Sequence, residues 1–238
     1  MNKILLALQF WRGDMKAAMQ VARLVADLEI RHSIHADFMF VSRFDCPQDP
    51  ETVKYVSRKF NTFTYINSSR KDKGWPAGCN GLWFGTVDRV YSMVEGKRMP
   101  PYKAILTFEA DSFPLRPDWV ARLSEEWDKR KVKLLGPMVK SEGVNEHING
   151  NALVSGDIQF LHQISREIGG CTPMGGWDYV LAPWFKKQGW SDTPLMKSWW
   201  RQPTLSADMF ESLLTDGTVF LHGVKDDSII RHVRAKFL

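Results

Sequence analysis

Through the first 135 residues, short apolar runs alternate with amphipathic stretches, and this alternation leaves few folds open. Residues 3–10, 37–42, 62–66, 104–108 and 132–135 read as strands. Between them lie helical patterns. Asp14 is placed to cap a helix whose apolar face is Ala18, Val21, Ala22, Val25 and Leu28. Residues 50–60 form a short helix with Pro50 at its start. Trp83, Val87, Val90, Tyr91 and Val94 mark a third helix, and Pro117 opens a fourth carrying Trp119, Leu123 and Trp127. Strand and helix in strict succession predict an α/β fold, with a mostly parallel central sheet and helices on both faces. On such sheets ligands bind at the carboxyl ends of the strands.

The remainder is less regular. A strand over 148–155, a helix over 158–168 and a turn-rich segment over 169–176 come first. A helix over 177–189 is interrupted by Pro183, and 191–206 reads as a long loop around Trp199-Trp200-Arg201. A strand over 219–222 and a basic helix over 227–237 end the chain. With 238 residues and no linker, the expectation is one domain: a nucleotide-binding part over about 1–135 and an acceptor-binding part over about 136–238. No apolar run approaches the roughly 20 residues of a membrane span. The apolar start, interrupted by Gln9 and lacking a small-residue cleavage site, reads as a strand rather than a signal peptide. Cys46, Cys79 and Cys171 are scattered and odd in number, which fits a reducing cytoplasm. The net charge of +5 suits an anionic partner, a nucleotide or a nucleic acid.

The run Ile105-Leu106-Thr107-Phe108-Glu109-Ala110-Asp111 carries the clearest chemistry. Residues two apart in an extended chain point the same way, so Glu109 and Asp111 present two carboxylates at one strand end. A divalent cation bridging to phosphate oxygens would relieve their repulsion. The alternative is an acidic turn after a strand. Arg12 and Asp14, after the first strand, stand at another such end.

In order along the chain, Lys73-Gly74-Trp75-Pro76-Ala77-Gly78-Cys79-Asn80, Glu109-Ala110-Asp111, Gly175-Gly176-Trp177-Asp178 and His222-Gly223 resemble landmarks of the GT-A (Rossmann-like) nucleotide-sugar glycosyltransferases. They span most of the chain. The acidic triplet is similar to that family's D-x-D motif, with Glu in the first position, which leaves open whether Glu109 touches the metal directly. The resemblance implies a Mn²⁺ or Mg²⁺ ion at Asp111, His222 and Glu109. It also implies a donor site, for a UDP-sugar, that takes in Arg12, Asp14, Lys73, Trp75, Gly78, Asn80, Glu109 and Asp111. Asp178 would be the catalytic base of an inverting transfer, with the helix N-cap as its alternative role. Asn149, Trp177, Trp200 and Arg201 would meet the acceptor; for the last two, stacking and phosphate pairing stand against packing under a loop.

The implied activity is metal-dependent transfer of a sugar to a hydroxyl. The basic balance together with the Trp200–Arg201 loop points to DNA carrying 5-hydroxymethylpyrimidine, loosely like phage-type enzymes. A bacterial surface glycan or lipid-linked sugar is the alternative acceptor. A non-catalytic nucleotide- or nucleic-acid-binding protein is the alternative class.

Overall fold

Strand β1 (Ile4–Phe10) is buried along its whole length. Its side chains divide by alternation. Ile4, Leu6, Leu8 and Phe10 enter one hydrophobic core, and Leu5 and Ala7 enter another on the opposite face. A strand apolar on both sides needs cover on both sides, and helices supply it. The computed structural model describes residues 2–67, 74–141, 144–168 and 175–238.

The first core is closed by α1 (Met15–Asp27), whose Ala18, Val21, Ala22 and Val25 form the buried stripe. Beyond α1 the chain runs through β2 (Ala36–Arg43), α2 (Pro50–Val56) and β3 (Thr62–Asn67). Helix α3 (Ala77–Glu95) crosses to the other face and buries Trp83, Val87 and Val90 in the second core. Strand β4 (Ala104–Phe108) follows, then β5 (Ser112–Pro114) and α4 (Trp119–Arg130). Next come β6 (Leu134–Gly136), the hairpin β7 (Met138–Ser141) and β8 (Val144–Ile148), and β9 (Leu153–Ser155). Helix α5 (Ile158–His162) continues into a π-helical stretch, Gln163–Ile168. The chain ends through α6 (Trp177–Val180), α7 (Ala182–Gln188), β10 (Trp190–Asp192), β11 (Met196–Gln202), α8 (Ala207–Thr215), β12 (Phe220–Val224) and α9 (Ser228–Phe237).

Seven strands form the central sheet in the order β10-β6-β9-β4-β1-β2-β3. All neighbours are parallel except β9, which runs antiparallel to β4 and β6. The expected α/β fold with a mostly parallel sheet and helices on both faces is therefore the observed one. From β1 the chain steps outward to β2 and β3, then returns to place β4 on the other side of β1. That reversal opens a crevice at the carboxyl ends of β1 and β4, where open α/β sheets bind ligands. A second sheet, β11-β12-β5, stands beside the crevice. Among the described residues no helix is long and apolar enough to cross a membrane.

Several expectations need correction. The loop expected over 191–206 holds two strands, β10 and β11. Pro194 and Pro203 read as loop markers, but both fall just outside β11, at the edge of its sheet, where proline costs no ladder bond. The single strand expected over 148–155 is two strands, because Asn149 Oδ1 accepts the Asn151 N–H (3.0 Å) and turns the chain between β8 and β9. The helix expected from Pro117 begins at Trp119, after Asp118 in the left-handed region (φ 67°). The helix expected over 50–60 ends at Val56. Asp14 stands at the start of α1, but its carboxylate accepts the Trp11 N–H (2.8 Å) instead of capping the helix.

At the opposite end of the sheet one buried carboxylate ties three segments together. Asp37, 2 % exposed, accepts bonds from Lys3 Nζ (2.7 Å), Asn61 Nδ2 (3.1 Å) and Tyr102 Oη (3.0 Å). Asp37→Ala strands all three donors. Lys3 keeps a quarter of its side chain in water, so the expected loss is about 3 kcal/mol, the low end for a broken buried pair. A lower urea midpoint at unchanged slope is the readout.

Candidate active site

Glu109 and Asp111 emerge from β4 into the crevice, and β5 begins one residue later. Because β5 pairs antiparallel with β12, His222 falls opposite Ser112. Phe220 anchors β12 by stacking on Trp119 and meeting Phe108 edge-on. The register thus carries an imidazole from the far end of the chain to the two acids. Ligand atoms of Glu109, Asp111 and His222 all lie within 4.8 Å of one another. His222 Nε2 is 3.5 Å from Asp111 Oδ1 and 4.0 Å from Glu109 Oε2.

Bonds behind this cluster fix it. The Gly223 N–H donates to the Asp111 carbonyl (2.9 Å), and the Glu109 N–H to Asn151 Oδ1 (2.9 Å). Ser112 Oγ also reaches Asn151 Oδ1, at 2.6 Å. Ser198 Oγ lies 2.9 Å from His222 Nδ1. That contact orients the ring so that Nε2 faces the acids, as the outer-shell partners of metal-binding histidines do. On the other side, the Lys225 ammonium contacts Asp111 Oδ2.

The charges respond to this crowding. Burial would raise the Asp111 carboxyl, but the bond and charge of His222, with Lys225, outweigh it and hold the group near about 2. Glu109 moves upward. Crowding by protein is the main cause, opposed by His222 and reinforced by Asp111. The cleft touches 43 % of its side chain, and water there moderates the shift. Asp14 is pushed up to about 6, mainly by burial and further by the nearby Asp111. Burial and the surrounding acids push the Cys79 thiol up to about 12, so it is no nucleophile at neutral pH. Two carboxylates and one oriented imidazole form a donor set that fits a divalent ion.

The cluster lies on one wall of an open cleft of ≈ 460 Å³. Asp178, in the first turn of α6, lines the same cleft. Its Oδ2 accepts the Gly150 N–H (2.9 Å) and its Oδ1 the Tyr179 N–H (3.0 Å). Burial raises its carboxyl, against the pull of His147 and those N–H groups. A second cleft of ≈ 390 Å³ adjoins the first across Glu109, Asp111 and Lys225, and reaches Trp11, Asp14 and Asp227.

The other residues singled out from sequence divide. Asn149, Trp177, Arg201 and Trp75 line the first cleft, and Trp75 is 74 % exposed. Asn149 Oδ1 is committed to the β8–β9 turn. Trp177 is 5 % exposed and stacks on Trp83 at 3.7 Å, so it is mainly a core residue. Trp200 neighbours Arg201 on β11. Gly78 sits in the first turn of α3. Asn80 stands in the first turn of α3, at the helix N-terminus the sequence predicts, and borders the first cleft. Its amide is buried, and bonds the Gly175 carbonyl (2.9 Å) and the Trp177 N–H (2.8 Å), tying α3 to α6. Arg12 is exposed, outside the lining of both clefts. Lys73, like 169–174, lies outside the described residues.

Sequence reasoning missed Lys225 and Ser198. Strand alternation sends residues 222 and 225 to opposite faces. Gly223, with φ +105°, breaks that alternation and turns Lys225 toward Asp111.

No protein-family model matches the chain, and neither does any curated protein. Solved structures do. The glycosyltransferase GlyE of Streptococcus pneumoniae TIGR4 superposes with a TM-score of 0.58 at 12 % identity, over 96 % of this chain and 56 % of GlyE. A glycosyltransferase involved in glycosylation of the major capsid of PBCV-1 gives 0.53 at 11 %, over 98 % of this chain and 99 % of its own. Residues 1–349 of Staphylococcus aureus TarS give 0.54 at 9 %, covering 97 % and 63 %. The chain thus spans about half of GlyE and nearly all of the PBCV-1 protein. At these identities the likeness is one of fold, the mixed α/β fold of glycosyltransferases.

The close parallel pairing of β12 with β11, where the register shifts, demands glycine. A Cβ at Gly223 would lie 1.7 Å from the Trp199 carbonyl oxygen, at a φ that side chains disfavour. Gly223→Ala is expected to lose at least about 1–3 kcal/mol, as overpacking does. A thermal melt reads it, and a parent-like melting temperature would refute the constraint.

Proposed function

We propose that the chain is a metal-dependent glycosyltransferase that moves a sugar from a nucleotide sugar, a UDP-sugar by preference, to a hydroxyl acceptor. The observation that carries this reading is the Glu109–Asp111–His222 cluster at the switch-point crevice, with Asp178 in the same cleft. The shared glycosyltransferase fold supports it.

In this reading Asp111, His222 and Glu109 hold Mn²⁺ or Mg²⁺. When bound, such an ion supplies Lewis-acid neutralisation of the departing diphosphate. Asp178 takes the proton from the acceptor hydroxyl as its oxygen bonds to the anomeric carbon. The anomeric carbon–phosphate oxygen bond breaks, and the nucleoside diphosphate leaves with the electron pair. Gly150 and Tyr179 N–H groups hold the base carboxylate in place, and configuration inverts.

For the acceptor, the chemistry of the clefts supports a glycan hydroxyl over a pyrimidine in DNA. Beyond the two acids assigned to the ion, Asp178 faces the first cleft and Asp14, Asp226 and Asp227 the second, against Arg201 in the first and Lys225 bordering both. Carboxylates repel a polyanion. The exposed Trp75 indole offers an apolar face with a polar edge, suited to one face of a sugar ring. UDP-sugars offered with Mn²⁺, with or without a polymeric or lipid-linked glycan or hydroxymethylated DNA, decide between them. Transfer to DNA with salt-sensitive binding would reverse the preference. The absence of any donor turnover or hydrolysis would favour a non-catalytic binder.

Asp111→Asn should keep the fold and lower turnover by about 100-fold or more, as loss of a main electrostatic stabiliser does. EDTA should act likewise on the parent protein, and full activity in EDTA removes the metal from this reading.

Asp178→Asn should retain donor binding and lose transfer, because an amide takes no proton. In the parent, the base works only when ionised. With its carboxyl raised by burial, activity should be complete above that raised value and fall as pH drops through it, higher than for an ordinary carboxylate. Transfer by the Asn variant at the parent rate would reduce Asp178 to its bonds with the Gly150 and Tyr179 N–H groups.

A further inference from the structure

We infer that Lys225 is a hand-over cation, which neutralises Asp111 before a divalent ion binds and turns to the donor's diphosphate once the ion takes that carboxylate. Its second half rests on the donor reading above, and its first half does not.

Both carboxylate oxygens of Asp111 are engaged. Oδ1 faces His222 Nε2 at 3.5 Å, and Oδ2 contacts the Lys225 ammonium. An ion that draws on Asp111 therefore competes with an ammonium already in place. The main chain around Lys225 is pinned. Its N–H donates to the Gln202 carbonyl (2.9 Å), and the Gly223 N–H to the Asp111 carbonyl (2.9 Å). Only the side chain is left to yield, and it is 52 % exposed on a flexible four-carbon stem.

Charge balance gives the direction of that movement. Glu109 and Asp111 together offset one divalent ion, and the Lys225 charge then needs a new anion. The neighbouring acids are already engaged. Asp226 accepts from the Ser228 N–H (3.0 Å) and hydroxyl, and Asp227 pairs with Arg231. Lys225 borders both clefts, so a diphosphate placed between them at the acids lies within its reach. A compact ammonium with three donors suits phosphate oxygens.

Two binding measurements on Lys225→Met test this, with a thermal melt to confirm the fold. Mn²⁺ alone, titrated without nucleotide, should bind up to about fivefold more tightly than to the parent, the worth of a partly exposed ion pair. UDP titrated at saturating Mn²⁺ should bind about tenfold more weakly, as for a lost charged hydrogen bond. Lys225→Arg, which keeps the charge, should return both values toward the parent. Unchanged Mn²⁺ affinity in the Met variant overturns the competition, and unchanged UDP affinity overturns the hand-over. A parent protein that binds no Mn²⁺ overturns the whole inference. A parent that binds Mn²⁺ but not UDP overturns the hand-over and the glycosyltransferase reading together, while the Mn²⁺ comparison still decides the competition.

Discussion

The candidate site depends on the pairing of β12 with β5. That short antiparallel contact, with His222 opposite Ser112, joins the strand after the acids to a strand more than a hundred residues later. Without it, Glu109 and Asp111 are two carboxylates at a strand end. With it they gain an imidazole, an ammonium and a backbone bond to Gly223, and Asp111 is stabilised as an anion. Phe220 holds the pair in place from the core side, between Trp119 and Phe108. Packing and electrostatics are therefore coupled: the strand that fills the first core also brings the imidazole to the acids, with Lys225 just beyond its end.

The cleft is built from elements that serve other purposes. Asn80 joins α3 to α6, which sets Asp178 relative to the central sheet. Asn151 joins the β8–β9 turn to the acids through the Glu109 N–H and the Ser112 hydroxyl. Gly150, in the same turn, donates its N–H to Asp178. One short turn thus touches both the metal-type cluster and the candidate base. Its two asparagines spend their side-chain oxygens on positioning while both border the first cleft.

The mild positive charge of the chain is not concentrated in its clefts, where the acids outnumber Lys225 and Arg201. Lys197, Lys236 and Arg234 each pair with an acid elsewhere on the surface. Net charge is a sum over the whole molecule, whereas a ligand meets the local field. The composition-based argument for a nucleic-acid partner weakens for that reason, and the acid-lined clefts carry the acceptor argument instead.

Local pattern was enough to determine the alternating strands and helices of the first 135 residues except β5, the apolar faces of α1, α3 and α4, and the two acids at the end of β4. Each follows from periodicity and from strand ends, which are properties of neighbouring residues. The motif order also brought Asp111, His222 and Asp178 forward as a set, although they are far apart in the chain. Tertiary structure alone decided the rest. It turned the region around Trp199 into an edge strand, spent Asn80 on a tie between helices and buried Trp177 against Trp83. It also swung Lys225 onto Asp111 through a glycine that breaks strand alternation. Those outcomes depend on which segments pair across the fold, and cross-strand register leaves no mark in the local sequence of either partner.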